Sequence, residues 1–310
     1  SFGDGVKDEN KTRFKVSYDD IAEEAVVEVE SSVVPVFMQA FGIENIEFTT
    51  LSTVKYAKKA YSNPASIFLV IDNSGSMAFD DIPMAYYAGP QPLAAKPRID
   101  GLKTELQGFS DHLAKVIVPN PDEPNKKYLR MGMTAFNADI INARTVSPFW
   151  GTISTSDINS LDADGGTVPT QALAKVQSWM NGEDYRHENM NGNAEPLKYV
   201  VIMADGANNS TYDDTQSLKH CTALKDAGVE IFTIGFALEP GYFYTGVWGQ
   251  RYNSPIYYIS PTVKDRAQTF LNSCASSDNH FLLAEDADAL KAAFDKIGAL
   301  IVEDAIRISE

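Results

Sequence analysis

The chain has 310 residues, with 42 Asp and Glu against 26 Lys and Arg, and so carries a net charge of −16. That charge repels phosphate backbones, no basic stripe offsets it, and nucleic acid is not an expected partner. No apolar run is long enough to cross a bilayer, and Cys221 and Cys274 have no Cys or His nearby at zinc-ligand spacing.

The chain opens on Ser1-Phe2-Gly3-Asp4, with neither an initiator Met nor a basic and apolar signal region, which suggests a processed or trimmed polypeptide. Residues 12–18 and 24–30 alternate apolar and polar side chains, the period of a strand with one wet face. Residues 34–41 read as a short helix with Pro35 in its first turn and Gly42 at its end, and residues 45–55 return as a strand. A β-β-α-β module over residues 1–61 results. Residues 305–310 also alternate, so the segment 304–310 is expected to complete that module.

Residues 62–303 alternate strands and helices. Strands are expected at 65–71, 128–136, 197–203, 230–236 and 280–283, and helices at 99–117, 169–180, 215–227, 263–273 and 287–301. Such alternation makes an α/β fold, a doubly wound and mostly parallel sheet with helices on both faces. Residues 139–145 are expected to form an antiparallel edge hairpin with the strand before them. Residues 181–196, rich in Asn and Gly, read as a flexible surface loop.

The first of these strands, Ala65-Ser66-Ile67-Phe68-Leu69-Val70-Ile71, is a continuous apolar run, as in a central strand covered on both faces. It ends in Asp72-Asn73-Ser74-Gly75-Ser76, which offers one carboxylate and two hydroxyls from a single turn. A hard divalent cation takes such oxygen ligands. In open α/β sheets ligands bind beyond the carboxyl ends of the strands. Two more loops point there: Asp164-Gly165-Gly166-Thr167 opens a helix, and the strand at 197–203 runs into Ala204-Asp205-Gly206. The competing reading is that Ser74 and Ser76 cap the next helix and Asp205-Gly206 is an ordinary turn.

These three segments resemble the metal-ion-dependent adhesion site of von Willebrand factor type A domains. The resemblance implies that Ser74, Ser76 and Thr167 give hydroxyl oxygens, that Asp72 and Asp205 bind directly or through water, and that a partner's carboxylate completes the octahedron. Mg2+ is the implied cation, with Mn2+ or Ca2+ as alternatives. A narrower resemblance rests on Val33-Val34-Pro35-Val36-Phe37-Met38-Gln39-Ala40-Phe41-Gly42-Ile43, Cys274-Ala275-Ser276 and the helix over 287–300. These are similar to TadG-like proteins of bacterial Flp/Tad pilus systems. That likeness implies an extracytoplasmic module, anchored by a membrane helix upstream of residue 1, although this chain lacks the helix and the Ala-rich segment that follows it.

Two insertions flank the proposed cation. Residues 78–97 carry Asp80, Asp81, Tyr86 and Tyr87 among several prolines, and residues 239–255 carry Tyr242, Phe243, Tyr244, Trp248 and Tyr252. Asp80, Tyr86, Tyr87, Tyr242, Tyr244 and Trp248 are candidate ligand-contacting residues at the rim. Exposed aromatics would serve as rigid anchors; alternatively the rings of the second insertion fill its own small core. Cys221 and Cys274 fall on two late helices, where a disulfide would tie them together; two buried thiols are the alternative.

Enzyme chemistry finds little support. His112, His187, His220 and His280 are scattered, and no nucleophile elbow, phosphate loop or dinucleotide fingerprint occurs. Asp162 and Asp164 adjoin the Gly165-Gly166 turn and are expected to cap it; a Ca2+ loop there lacks its further ligands. A catalytic magnesium site would need a base the sequence does not offer. The expected function is a non-enzymatic, metal-dependent adhesion or protein-binding module of a pilus system, with a structural pilus-assembly factor as the alternative.

Overall fold

In a computed structural model of the chain, the described residues are 6–7, 12–19, 24–33, 46–55, 62–86, 96–119, 121–244 and 256–306. The chain divides into two compact units, residues 1–60 with 308–310 and residues 61–307.

The first unit is an antiparallel meander in the order β1-β2-β3-β4, formed by β1 (Val6–Lys7), β2 (Thr12–Asp19), β3 (Glu24–Val33) and β4 (Ile46–Lys55). β3 and β4 pair without interruption from Glu24 opposite Lys55 to Val33 opposite Ile46. The helix expected over 34–41 and its end at Gly42 lie outside the described residues.

The second unit is built on six strands: β5 (Ala65–Asp72), β6 (Leu129–Phe136), β7 (Val146–Trp150), β8 (Leu197–Ala204), β9 (Glu230–Phe236) and, closing the sheet after the hairpin described below, β12 (Phe281–Ala284). Their order is β12-β9-β8-β5-β6-β7, all parallel except β7. β5 is central and fully buried, and its side chains alternate between two cores. Ile67, Leu69 and Ile71 join a layer with α1 (Arg98–Val116) and α7 (Ala287–Ile306), while Phe68 and Val70 join one with α3 (Thr170–Met180), α5 (Thr211–Asp226) and α6 (Pro261–Cys274). Both faces of a parallel sheet are thereby covered, which is what a continuous apolar strand requires. Among the described residues, the short α2 (Thr155–Asn159) and the polar α4 (Glu183–Asn191) are the remaining α-helices. Among the described residues no helix is long and apolar enough to cross a membrane.

Three expectations are corrected. The antiparallel edge strand is at Val146–Trp150 rather than 139–145; residues 142–144 form a 3-10 turn, and only Ile140 bridges back, to Phe136. The edge strand accommodates Pro148 because no further strand needs its N–H, and Gly132 makes room for it, since a Cβ there would sit 3.1 Å from the proline ring. Residues 183–191, read as loop, form α4, whose Glu183, His187 and Asn191 recur every four residues on a buried polar face. The last helix runs on to Ile306 instead of giving way to a strand at 305. Ile297, Ile301 and Ala305 continue one buried stripe, so the apparent alternation of residues 305–310 begins inside a helix.

Cys221 of α5 and Cys274 at the end of α6 form a disulfide, with Cα atoms 5.3 Å apart. Closing a loop of this length contributes about 4 kcal/mol by constraining the unfolded chain.

Candidate metal centre

β5 and β8 are adjacent parallel strands, so Asp72 and Asp205 emerge side by side at the carboxyl end of the sheet. Asp72, Ser74 and Asp205 are buried to within 1% and Thr167 to within 7%, while Ser76 is half-buried. The Ser74 hydroxyl lies 2.9 Å from that of Ser76, which donates to Asp205 Oδ1 at 2.7 Å. Asp72 accepts from the Ser74 backbone N–H at 2.8 Å and from that of Asp205 at 3.4 Å.

Three asparagines stitch the loops together, and sequence reading passed over all of them. The Asn73 side chain accepts from the Asp162 N–H at 2.9 Å while its carbonyl accepts from Asp164, which joins the first loop to the second. Asn209 closes the other seam: its side chain accepts from the Thr167 N–H at 2.9 Å and its own N–H donates to the Thr167 carbonyl at 2.8 Å. Asn137 anchors the far side through its carbonyl, which accepts from Val168 at 2.7 Å. The pair Gly165-Gly166 is needed here, because a Cβ on either would lie 2.8 Å from Asn137 Nδ2 or 2.5 Å from Asn209 Nδ2, and Gly165 also has φ +78°. Backbone and amide bonds thus fix Thr167 against the first loop, whose Gly75 N–H donates to the Gly165 carbonyl at 2.9 Å.

Buried side by side, the two carboxylates repel each other when both are charged. Burial, reinforced by the charge of Asp205, pushes the Asp72 carboxyl up to about 8. Protons or cations can relieve this. The donors present, two carboxylates and three hydroxyls with no thiol or imidazole, suit a hard divalent ion such as Mg2+ better than a soft one. Among the described residues no group of three or more His, Cys, Asp and Glu that could hold a metal ion occurs, so this site would rest on hydroxyls for most of its ligands. Two buried N–H groups beside these carboxylates, Asn73 Nδ2 and Arg98 Nη2, have no acceptor in the protein. Donors of this kind would be satisfied by the waters or the anion that accompany a bound cation. The residues fit the group.

The two insertions meet over this end of the sheet. β10 (Gly241–Tyr244) and β11 (Ile256–Ile259) form a hairpin whose Tyr242 and Tyr244 carbonyls accept from the Met84 and Asp80 N–H groups at 2.6 and 2.8 Å. Asp81 is buried and receives the N–H groups of Lys96 and Ala287, so it anchors the first insertion onto the start of α7. The hairpin's alternation divides its rings. Phe243 is fully buried and Tyr257 packs on Phe79 at 5.1 Å, whereas Tyr242 and Tyr258 stack on each other at 4.7 Å, with Tyr258 51% exposed.

Of the candidate rim residues, Tyr86 is exposed, Tyr242 and Tyr244 are half-buried, and Asp80 is buried; Tyr87 and Trp248 lie outside the described residues. Two residues that sequence reading did not single out face the centre. Tyr257 has its phenol pushed up by burial, with the charges of Asp205 and Asp72 adding and that of Arg98 opposing. Arg98, fully buried, pairs with Asp205 Oδ2 at 2.8 Å. No signal in one sequence marks either, because an insertion separates each from the motif loops.

A second buried polar cluster sits at the amino end of the same strand. Ser66 of β5 donates to Glu183 Oε2 at 2.6 Å, and Glu183 also receives Arg130 Nε at 2.7 Å and Arg186 Nη1 at 3.1 Å. His187 Nε2 lies 2.9 Å from Ser66 Oγ, and Asn191 Nδ2 lies 3.1 Å from His187 Nδ1. Since Ser66 already donates to a carboxylate, it accepts from His187 Nε2–H, and Nδ1 accepts from Asn191. Burial, helped by the charge of Arg130, lowers His187 to about 4, so the ring is neutral at physiological pH. The scattered histidines of the sequence do include one beside a serine, but Ser66 is fully buried and its proton is committed to Glu183.

The fold is that of a von Willebrand type A domain: a doubly wound sheet with one antiparallel edge and three loops gathered at its carboxyl end. Among solved structures, the chain is similar to the pilus adhesin SpaC from Lactobacillus rhamnosus GG, with a TM-score of 0.54 and 13% identity over 98% of this chain and 36% of that one. It is also similar to the PilB minor pilin from Streptococcus sanguinis, with a TM-score of 0.52 and 13% identity over 97% of this chain and 80% of that one. The chain thus spans about a third of the length of the adhesin. No family model and no curated protein sequence matches.

Proposed function

We propose that the module is a non-enzymatic, metal-dependent adhesion or protein-binding domain, in which Asp72, Ser74, Ser76, Thr167 and Asp205 hold Mg2+ and a ligand carboxylate completes its coordination. The observation that carries this is the pair of buried carboxylates, with Asp72 driven up to about 8 beside Asp205 and three hydroxyls, on loops that cross-link so as to keep them together. A bound cation would relieve this charge conflict without protonating either carboxylate. Mn2+ and Ca2+ are the alternative ions. The rim of the two insertions, with Tyr86, Tyr242 and Tyr244, would contact the partner. Tyr87 and Trp248 of the same segments are candidates on sequence grounds.

The names of the two similar structures, a pilus adhesin and a minor pilin, support a role in bacterial surface attachment. The resemblance to TadG-like proteins narrows this to a Flp/Tad pilus system, with the domain exported and anchored upstream of residue 1. The Cys221–Cys274 disulfide suits such an oxidising, extracytoplasmic location.

Calorimetric titration of chelator-treated protein with Mg2+, Mn2+ and Ca2+ tests the site. Saturable binding is expected, and Thr167→Ala should abolish it; absence of binding by the wild type to any of the three ions would refute the reading. In cells, Asp72→Ala should remove attachment while leaving pili intact. Loss of the pili themselves would favour an assembly role.

A further inference from the structure

Arg98 is the first residue of α1, where the first insertion rejoins the sheet, and it is fully buried. Its Nη1 donates to Asp205 Oδ2 at 2.8 Å and to the Asp205 carbonyl at 3.4 Å, and its Nε donates to the Asp80 carbonyl at 3.1 Å. The Phe243 ring lies 4.3 Å from the guanidinium carbon, so the arginine is held between the two insertions. The two oxygens of Asp205 therefore do different things. Oδ1 takes the Ser76 hydroxyl on the side of the centre, and Oδ2 is held by the guanidinium.

A guanidinium is a fixed cation, and here it sits where water does not screen it. Two carboxylates and one guanidinium sum to −1. A divalent ion raises that sum to +1, and one incoming carboxylate brings it to zero. Without the arginine, the ion alone would neutralise the centre, and a ligand carboxylate would meet no net charge. We propose that Arg98 is the specificity-determining residue of this centre, weakening its hold on the cation and so leaving one positive charge for a single ligand carboxylate to neutralise. The inference rests on the metal-dependent reading above and adds which residue sets the trade between ion and ligand.

The charge argument makes the two affinities move in opposite directions, which a merely structural role does not. The probes are Mn2+, titrated calorimetrically, and acetate, titrated into protein at saturating Mn2+ and followed by the fall in water-proton relaxation as it displaces ion-bound water. Arg98→Gln should bind Mn2+ about tenfold more tightly and acetate about tenfold more weakly than wild type. Arg98→Lys, which keeps the charge, should stay near wild type in both. Asp205→Asn shifts the balance the other way, with weaker Mn2+ and tighter acetate, and tests the same idea if the glutamine variant does not fold. Parallel losses of both affinities in Arg98→Gln, or acetate binding indifferent to Arg98→Gln and Asp205→Asn, would overturn the proposal. A wild type that binds Mn2+ but not acetate would overturn it and leave the metal site standing, whereas a wild type that does not bind Mn2+ would remove both.

Discussion

The two ends of β5 carry buried polar clusters of opposite character. At the amino end, Ser66, Glu183, Arg130, His187 and Asn191 leave no buried side-chain atom without a partner, and each proton has one place to go. At the carboxyl end, Asp72 and Asp205 lie together with one guanidinium paired to Asp205, and Asn73 Nδ2 and Arg98 Nη2 lack acceptors. Burial of charge is common to both, so burial does not by itself mark a site. The difference is balance. A closed network rigidifies the fold and pins α4 under the sheet, whereas an unbalanced one is poised for something to be added.

The comparison can be broken most severely at the closed end. Glu183→Ala would strand Arg130, which is 7% exposed, without its carboxylate, and should cost about 3–5 kcal/mol in denaturant unfolding. Mn2+ binding to the folded fraction should be unchanged. Next comes Asp72→Asn, which removes the charge conflict at the open end. It should weaken Mn2+ by at least about 100-fold, or about 2.7 kcal/mol, with little loss of metal-free stability by thermal melting. A large loss of metal-free stability would show that the carboxylate is as structural as Glu183.

Acid and base should separate the ends with opposite signs. His187 has its folded value lowered from 6.5 to about 4, so its contribution is present above pH 6.5 and is lost as pH falls through 4. Asp72 has its folded value raised from 3.8 to about 8, so in metal-free protein its contribution is present below pH 3.8 and is lost as pH rises through 8. Each can tilt unfolding free energy by at most about 1.4 kcal/mol per pH unit. His187→Gln should flatten the limb between pH 4 and 6.5, and Asp72→Asn the limb between pH 3.8 and 8, in unfolding measured across pH. Saturating Mg2+ should flatten the second limb in the wild type as well, since a cation takes the proton's place. Smallest is Tyr257→Phe, which deletes one hydroxyl near Asp205 and should change stability by less than about 1 kcal/mol. A measurable change in acetate affinity at saturating Mn2+ would show that the phenol contacts the ligand.

Much of the open end was legible in the residues. The apolar run before Asp72 predicted a central strand because a strand covered on both faces needs no alternation, and the strand before Asp205 is its immediate neighbour. Thr167 was legible through the resemblance of Asp164-Gly165-Gly166-Thr167 to the second loop of a metal-ion-dependent adhesion site. The closed end was not legible. α4 is so polar that it read as loop, because its buried face carries Glu183, His187 and Asn191, and only partners from β5, β6 and the preceding chain make those residues interior. The edge strand slipped by several residues for a related reason: Ile140 and Ile141 supply the apolar signal, but they turn the hairpin rather than form its second strand.

The residue order by itself determined the alternation of strands and helices, the strands that run into Asp72 and Asp205, and the absence of the motifs of nucleotide or nucleophilic chemistry. Those features are local: a period, a strand end or a turn is set by residues a few positions apart. Tertiary structure alone decided that Arg98 pairs with Asp205 across 107 positions, that Asn73 and Asn209 lock three loops into one cradle, and that Ser66 finds Glu183 and His187. Those bonds depend on which strands lie side by side. Charge balance at a buried site is a sum over such neighbours, and no window along the chain contains it.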